Sequence, residues 1–385
     1  MNITLVISSL YGGGAERVVV LLAKGLIDRG HKVTVITLYG KERDFYSLPK
    51  GVNRIALGIM SDSINVLQAL YSNLFRLVKL REAIISTKPD IVISHLTSTN
   101  ILTIISLFQS KIPVLVTEHS DPKMFSYGRI WELLRRFSYP YADRVVSVSQ
   151  GVDVAFNWLA KSKRLVIYNP FVLQQQNEQE DQEFILSLNQ DVNREKKWVV
   201  AMGRLLPQKG FDILLSAFAK IAHLHPDWQL LILGKGELRD ELEQRKESLG
   251  LSNKVVFLGA VSNPFAILRR AKLFVMSSRH EAFPMALGEA MACGLPAIST
   301  DCHSGPREII RDGIDGILVP SEDISSLAKT MDNLMSNEIL RQHLSARAPE
   351  VTERFSIEKI LSEWESLFKL ILWEKSKSNL KEVIS

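Results

Sequence analysis

Apolar runs of strand length alternate with helix-periodic segments from one end of this 385-residue chain to the other. That alternation is the pattern of parallel sheets covered by helices on both faces. In the first half the strand-like runs are Ile3–Ser8, Lys32–Leu38, Ile91–Ser94, Val114–Glu118, Arg144–Ser149 and Arg164–Tyr168, with helical patterns at Ala15–Asp28, Val66–Ser86 and Trp131–Phe137. A polar stretch, QQQNEQEDQE, then interrupts the pattern and reads as an exposed helix or loop where a linker ends. A second series follows at Trp198–Met202, Trp228–Leu233, Val255–Leu258, Leu273–Met276, Ala297–Thr300 and Gly316–Val319. The chain is too long for one comfortable core. The expected organisation is α/β, with Rossmann-like domains at 1–172 and 173–355 and a helical segment at 356–385 that closes the second domain or crosses back to the first.

Composition narrows the class. A 46% hydrophobic and 23% charged make-up is that of an ordinary folded protein. The N-terminus MNITLVISSL has no basic n-region and runs into a Gly-rich turn, so no secretory signal is expected. The apolar stretch from Asn100 to Val116 is broken by Gln109, Ser110, Lys111 and Pro113, short of the ~18–20 clean residues that cross a bilayer. Cys293 and Cys302 are the only cysteines, which argues against a disulfide framework and for a reducing, cytoplasmic compartment. No metal-ligand spacing is present, so no metal or other cofactor is expected. Residues 1–170 hold 21 Lys+Arg against 12 Asp+Glu, a net of +9, while the remainder has 26 against 30, a net of −4. Such a basic half fits membrane phospholipid, nucleic acid or a phosphorylated substrate, or is incidental surface charge. Nucleic acid is disfavoured, because the basic residues are not interleaved with aromatics in any recognisable module.

Four segments carry candidate chemistry. After the first strand comes Gly12-Gly13-Gly14-Ala15-Glu16, opening a helix; its backbone can approach a ligand closely, or simply turn tightly. In the second half Gly203-Arg204-Leu205-Leu206-Pro207-Gln208-Lys209-Gly210 lies between a strand and a helix, at the carboxyl end of the sheet, where open α/β folds bind ligands. A guanidinium and an ammonium five residues apart suit a diphosphate without a metal; two solvated loop charges are the bland reading. Gly234-x-Gly236 is weaker, compatible with a nucleotide or with a turn alone. The most specific segment is Glu281-Ala-Phe283-Pro284-Met285-Ala286-Leu-Gly-Glu289, with Glu281 in a loop and Glu289 one turn inside the next helix. The amides of Phe283, Met285 and Ala286 would open toward a phosphate. Two carboxylates beside an anion site repel it unless they grasp neutral hydroxyls, which points to a nucleotide sugar.

Glu281-x7-Glu289, with Gly203-Arg204, Lys209-Gly210, the triple-glycine turn and Gly305-Pro306-Arg307-Glu308, resembles the retaining GT-B glycosyltransferases of the family 4, group 1 type. The likeness covers nearly the whole chain and implies two Rossmann-like domains with mainly parallel sheets facing each other across a cleft. It implies that Arg204 and Lys209 hold the donor diphosphate, Glu289 the ribose, and Glu281 the transferred sugar. His119 would line that sugar from the first domain, although a lone histidine at a strand end is more often satisfied locally. The amides of Gly13, Gly14 and Gly203 would lie near the ligands. The usual Gly after the first Glu is Ala282 here. More narrowly, Ser94-His-Leu-Thr-Ser-Thr-Asn100, Thr117-Glu118-His119-Ser120 and Leu133-Leu-Arg135-Arg136-Phe-Ser-Tyr-Pro140 look like bacterial enzymes that add N-acetylgalactosamine to undecaprenyl-diphosphate-linked oligosaccharides. The implied activity is retaining transfer from a UDP-sugar (UDP-GalNAc, UDP-GlcNAc or UDP-galactose) to a lipid-linked or cell-surface glycan, without a metal. An epimerase, a phosphorylase or a non-catalytic nucleotide or glycan binder are the alternatives.

Val66, Leu67, Leu70, Leu74, Leu77, Val78 and Ile84 recur at helical spacing beside Arg76, Lys79 and Arg81. Such a helix can lie on an anionic bilayer, or pack into the core with a solvated charged face. With Arg135 and Arg136 it suggests peripheral association with the cytoplasmic face of the inner membrane.

Overall fold

A computed structural model describes residues 1–60, 66–122, 124, 128–173 and 176–384, with the side chains of 43, 66–71 and 378–384 outside the description. These residues form two compact units, 1–170 with 357–385, and 171–356.

Unit 1 contains β1 (Asn2–Ile7), β2 (Lys32–Thr37), β3 (Asn53–Ala56), β4 (Ile91–His95), β5 (Val114–Glu118), β6 (Arg144–Ser147) and β7 (Arg164–Val166). They pair in parallel in the order β3-β2-β1-β4-β5-β6-β7. The order reverses between β1 and β4, which opens a crevice beyond their carboxyl ends. Ile3, Leu5, Val6, Ile91, Val92, Ile93, Leu115 and Val116 are all buried, because a parallel sheet covered on both faces needs apolar side chains at successive positions. β3 has no counterpart in the sequence reading: it is a four-residue edge strand, NRIA, too short and too polar to stand out. The long helix Ile357–Ile384 belongs to this unit. Arg29 donates to Glu365 at 2.7 Å and Arg144 to Glu374 at 2.7 Å, and Lys375 pairs with Asp143 at 2.9 Å. A Cβ at Gly25 would come within 2.4 Å of Leu361, so the absence of a side chain there lets the two helices close.

Unit 2 contains β8 (Lys197–Met202), β9 (Trp228–Leu233), β10 (Val255–Gly259), β11 (Leu273–Met276), β12 (Ala297–Asp301) and β13 (Ile317–Pro320). Their order is β10-β9-β8-β11-β12-β13, again parallel, with the reversal between β8 and β11. Its core joins the inner faces of these strands to Leu214, Phe218, Leu327 and Met331 of the helices Phe211–Ile221 and Ile324–Ser336. The polar stretch becomes the helix Glu178–Ser187, with no buried residue and with Asn177 accepting from the amide of Glu180 as its cap.

The junctions lie at 170/171 and 356/357. Phe171 falls in unit 2 because its ring stacks 5.4 Å from Phe283, while its amide donates to the Phe355 carbonyl at 3.0 Å.

Candidate functional site

The reversal between β8 and β11 brings their trailing loops side by side, and these are the two segments singled out in the sequence. Gly210 has φ +62, and a Cβ there would sit 2.1 Å from the Ser277 carbonyl oxygen, so only glycine lets the loops touch. Polar contacts stitch them: Ser277 Oγ donates to Lys209 O at 3.1 Å, Gln208 Nε2 to His280 O at 2.9 Å, and the Arg279 amide to Gln208 O at 2.8 Å. The Arg279 guanidinium forks onto both carboxylate oxygens of Asp212 at 2.9 and 2.7 Å, which holds the Asp212 carboxyl below its usual range.

Within this frame Lys209 Nζ donates to Glu281 Oε1 at 2.5 Å, and Ser278 Oγ donates to the same oxygen at 2.7 Å. Glu281 is buried and Lys209 half-buried. From behind, Ser304 Oγ donates to the Glu281 carbonyl. Gly305 at φ +89 leaves 2.7 Å between an imagined Cβ and Ala282 O. Glu281 is thus fixed at both ends. Lys209 retains two further N–H bonds for a ligand. Arg204, in the same loop, is exposed and makes no side-chain hydrogen bond or ion pair among the described residues. Gly203 packs under the Lys209 stem, 3.3 Å from an imagined Cβ to Cδ.

The helix Met285–Ala292 follows, with Pro284 as its N-cap. Met285 and Ala286 occupy its first positions, where amides have no intrahelical acceptor. Glu289 is buried one turn on. The Phe283 ring is a packing element, set against Phe171 and Phe355. After Gly305 a short helix runs from Pro306 to Ile309, with Gly305 supplying the turn and Pro306 the first position. Both thiols, Cys293 and Cys302, are pushed by burial up to about 12, so neither is a thiolate near neutral pH.

In unit 1 the corresponding edge carries the glycine turn and a histidine pair. Gly13 is the N-cap of the helix Gly14–Asp28, and its amide already donates to Tyr11 O at 2.8 Å, so Gly14 is the better placed of the two for a ligand. His119 follows β5, and its Nε2 lies 3.1 Å from His95 Nδ1 and 3.1 Å from Thr117 Oγ1. Burial lowers its pKa to about 4. His95, fully buried at the end of β4, is lowered by burial and then by His119. Neighbouring Glu118 is buried too and raised by that burial, against donors from Thr97, Asn100 and Tyr139.

The basic residues assigned to an acceptor or membrane fare unevenly. Arg135 is buried, paired with Glu132 and stacked 5.5 Å over Phe156; it belongs to the fold rather than to a surface. Arg81 donates to Ser106 O at 2.6 Å, Arg76 to Ile59 O at 3.1 Å, and Lys79 to Glu82 at 2.9 Å. Arg136 bonds Glu132 at 3.0 Å yet stays exposed. On the helix Val66–Ser86, Leu80 and Ile84 face the core while Leu74, Phe75 and Val78 are exposed; the side chains of Val66, Leu67 and Leu70 lie outside the description. Sequence reasoning missed Ser278, which bonds Glu281 three residues on, and His95, Arg279 and Ser304, whose contacts reach segments far apart in the chain. No described helix is long and apolar enough to cross a membrane.

Two family models match: "Glycosyl transferases group 1" over residues 178–351 and "Glycosyltransferase Family 4" over 12–175. A Campylobacter jejuni alpha-1,4-N-acetyl-D-galactosaminyltransferase, named for a GalNAc-alpha-(1->4)-GalNAc-alpha-(1->3)-diNAcBac-PP-undecaprenol substrate, is 31% identical over 94% of this chain and 97% of its own. The amylovoran biosynthesis glycosyltransferase AmsD of Erwinia amylovora is 26% identical over 92% and 95%. Among solved structures, Anabaena HepE in complex with UDP and glucose superposes with a TM-score of 0.77 at 21% identity, over 96% of this chain and 99% of that one. A Thermosynechococcus elongatus sucrose-phosphate synthase reaches 0.82 at 19%, over 97% and 100%.

Proposed function

The chain belongs to the group 1 and family 4 glycosyltransferases, an enzyme family of GT-B fold, and from that premise we propose that it moves a sugar from a UDP-sugar to a lipid-linked glycan with retention of anomeric configuration. The observation that carries the donor half is the Lys209–Glu281 pair beside Arg204, which has no ion-pair partner among the described residues, at the point where the strand order of unit 2 reverses. Arg204 and Lys209 take the diphosphate and stabilise the departing nucleotide; their cationic charge supplies what a metal would otherwise supply, so turnover proceeds in the presence of EDTA. The amides of Gly203, Phe283, Met285 and Ala286 add donors to phosphate oxygens. Glu289 accepts from the ribose hydroxyls. Glu281, anchored by Lys209 and Ser278, accepts from hydroxyls of the transferred sugar, and His119 and the Gly14 amide donate to the sugar or acceptor. The oxocarbenium-like state is stabilised electrostatically, with no general base assigned.

The UDP-sugar and the polyprenyl-linked acceptor rest on the likeness to the Campylobacter enzyme's named substrate and on the UDP complex of the Anabaena structure. An acceptor of that kind requires work at a bilayer. The helix Arg129–Ser138 supports this: Ile130, Leu133 and Phe137 are each about 70% exposed. Phe137 continues through Tyr141 to Phe108, with ring centroids 6.0 and 5.2 Å apart. Arg129, Arg136 and Lys111 lie exposed beside this ridge, and a basic fringe around an apolar ridge fits an anionic lipid surface. The direct test incubates the protein with UDP- and GDP-sugars and measures nucleotide release with and without polyprenyl-diphosphate glycans. Acceptor-dependent UDP release is expected; no release from any donor would defeat the reading.

A further inference from the structure

His95 has no role in the reaction described so far. It is fully buried, its Nε2 has no hydrogen-bond partner, and its Nδ1 closes a triangle with Thr117 Oγ1 at 2.8 Å and His119 Nε2 at 3.1 Å. The third side, Thr117 Oγ1 to His119 Nε2, is 3.1 Å. Proton counting sets two arrangements against each other. With the one hydroxyl proton of Thr117 given to the Ser94 carbonyl at 3.0 Å, its oxygen accepts from an imidazole. Its shortest imidazole contact is His95 Nδ1, so His95 carries its proton there. That single N–H is shared between Thr117 Oγ1 and His119 Nε2, and His119 Nε2 is then an acceptor.

The opposite arrangement, with the proton on His95 Nε2, would leave a buried N–H without an acceptor. The hollow that His95, Thr117 and His119 line is otherwise walled by Val18, Leu22, Val146, Val148, Ile167, Pro170 and Trp364 with Tyr168 and Asn169, and neither of those two polar side chains hydrogen-bonds His95 Nε2. An orphaned N–H in such surroundings costs more than an orphaned lone pair. Two cations in contact at 3.1 Å would also repel, so each ring holds one proton, as the lowered basicity of both rings agrees.

We propose that His95 is a positioning residue that fixes His119 in its Nδ1–H tautomer, so that the half-exposed His119 presents an N–H donor toward a sugar hydroxyl. Free imidazoles exchange between tautomers, and the hydrogen bond at one nitrogen decides which the other presents. A ring locked in this form keeps its donor aimed while the sugar develops positive charge, and cannot turn a lone pair toward the same hydroxyl. The inference rests on the reading that His119 meets the sugar, but its first test does not.

That test is the imidazole nitrogen-15 spectrum of the full, ligand-free chain with labelled histidine at pH 7. It should show His119 protonated at Nδ1 and bare at Nε2; a proton on Nε2 overturns the proposal. The second test compares two variants. His95→Asn retains an amide N–H near the Nδ1 position, whereas His95→Leu retains none. His95→Leu should lower kcat by about tenfold or more, with His95→Asn recovering most of it and donor KM moving little in either. Equal losses in the two variants, or no loss in His95→Leu, overturns the positioning role. If instead His119→Ala leaves kcat unchanged while the spectrum is as expected, the assignment of His119 to the sugar fails and the tautomer assignment stands.

Discussion

Lys209 and Arg204, the two cations proposed to hold the diphosphate, lie in one loop but differ in what else they contact, and substitution separates them. The exposed Arg204 side chain makes no hydrogen bond or ion pair among the described residues, so Arg204→Ala should leave the melting temperature unchanged and lower turnover by about a hundredfold or more. Lys209 neutralises a buried carboxylate at 2.5 Å, so Lys209→Ala should lose turnover and also destabilise unit 2, by about 1–3 kcal/mol in denaturant unfolding. His119 gives a pH test. Its pKa is about 6.5 when unfolded and falls to about 4 in the fold. Between those values the unfolded chain binds a proton that the folded chain does not, so its stabilising contribution is complete above pH 6.5 and lost as pH falls toward 4. Chemical denaturation from pH 7 to 4.5 should show that decline, and His119→Gln should flatten part of it. Arg204, Lys209, Glu281 and Glu289 could be picked out in the sequence because their spacing is local. His95 could not, since its partners arrive from a neighbouring strand only when the sheet forms.

At the scale of elements, the glycines between strand and helix decide how closely the loops of unit 2 approach. Gly210→Ala places a Cβ against the Ser277 carbonyl in a left-handed backbone, which should cost more than about 1 kcal/mol and weaken UDP binding through the displaced Lys209. The helix Arg129–Ser138 makes the opposite demand, an apolar face left uncovered. Leu133→Ser with Phe137→Ser should abolish flotation with vesicles rich in anionic lipid while leaving UDP binding intact; undiminished flotation would remove this helix from the membrane reading. Twelve of the strands follow from apolar runs of the right length, and β3 does not, because its four residues open on Asn53 and Arg54 and leave no apolar run to recognise. The basic helix Val66–Ser86 was legible only in part. Periodicity shows that a helix has an apolar face but not that its arginines will be taken up by carbonyls such as Ser106 O.

Taken whole, the molecule repeats one strand order and separates its charge. Both units reverse their strand order next to their first strand; glycines and His95 lie at that reversal in unit 1, cations and carboxylates in unit 2. The net +9 of residues 1–170 sits with the unit that bears the apolar ridge, and the rest of the chain is net negative. A donor held by unit 2 and a lipid-bound acceptor met by unit 1 would account for that asymmetry; the junction before Phe171, set by ring packing, falls two residues from the 172/173 boundary expected from the sequence. The central claim is that the β8 and β11 loops grip a nucleoside diphosphate. Calorimetric titration of UDP into the wild-type chain, Arg204→Ala and Glu289→Ala tests it most directly. Saturable 1:1 binding to the wild type, weakened about tenfold or more in each variant, is the expected result; equal affinity in all three, or no binding to any, would contradict it.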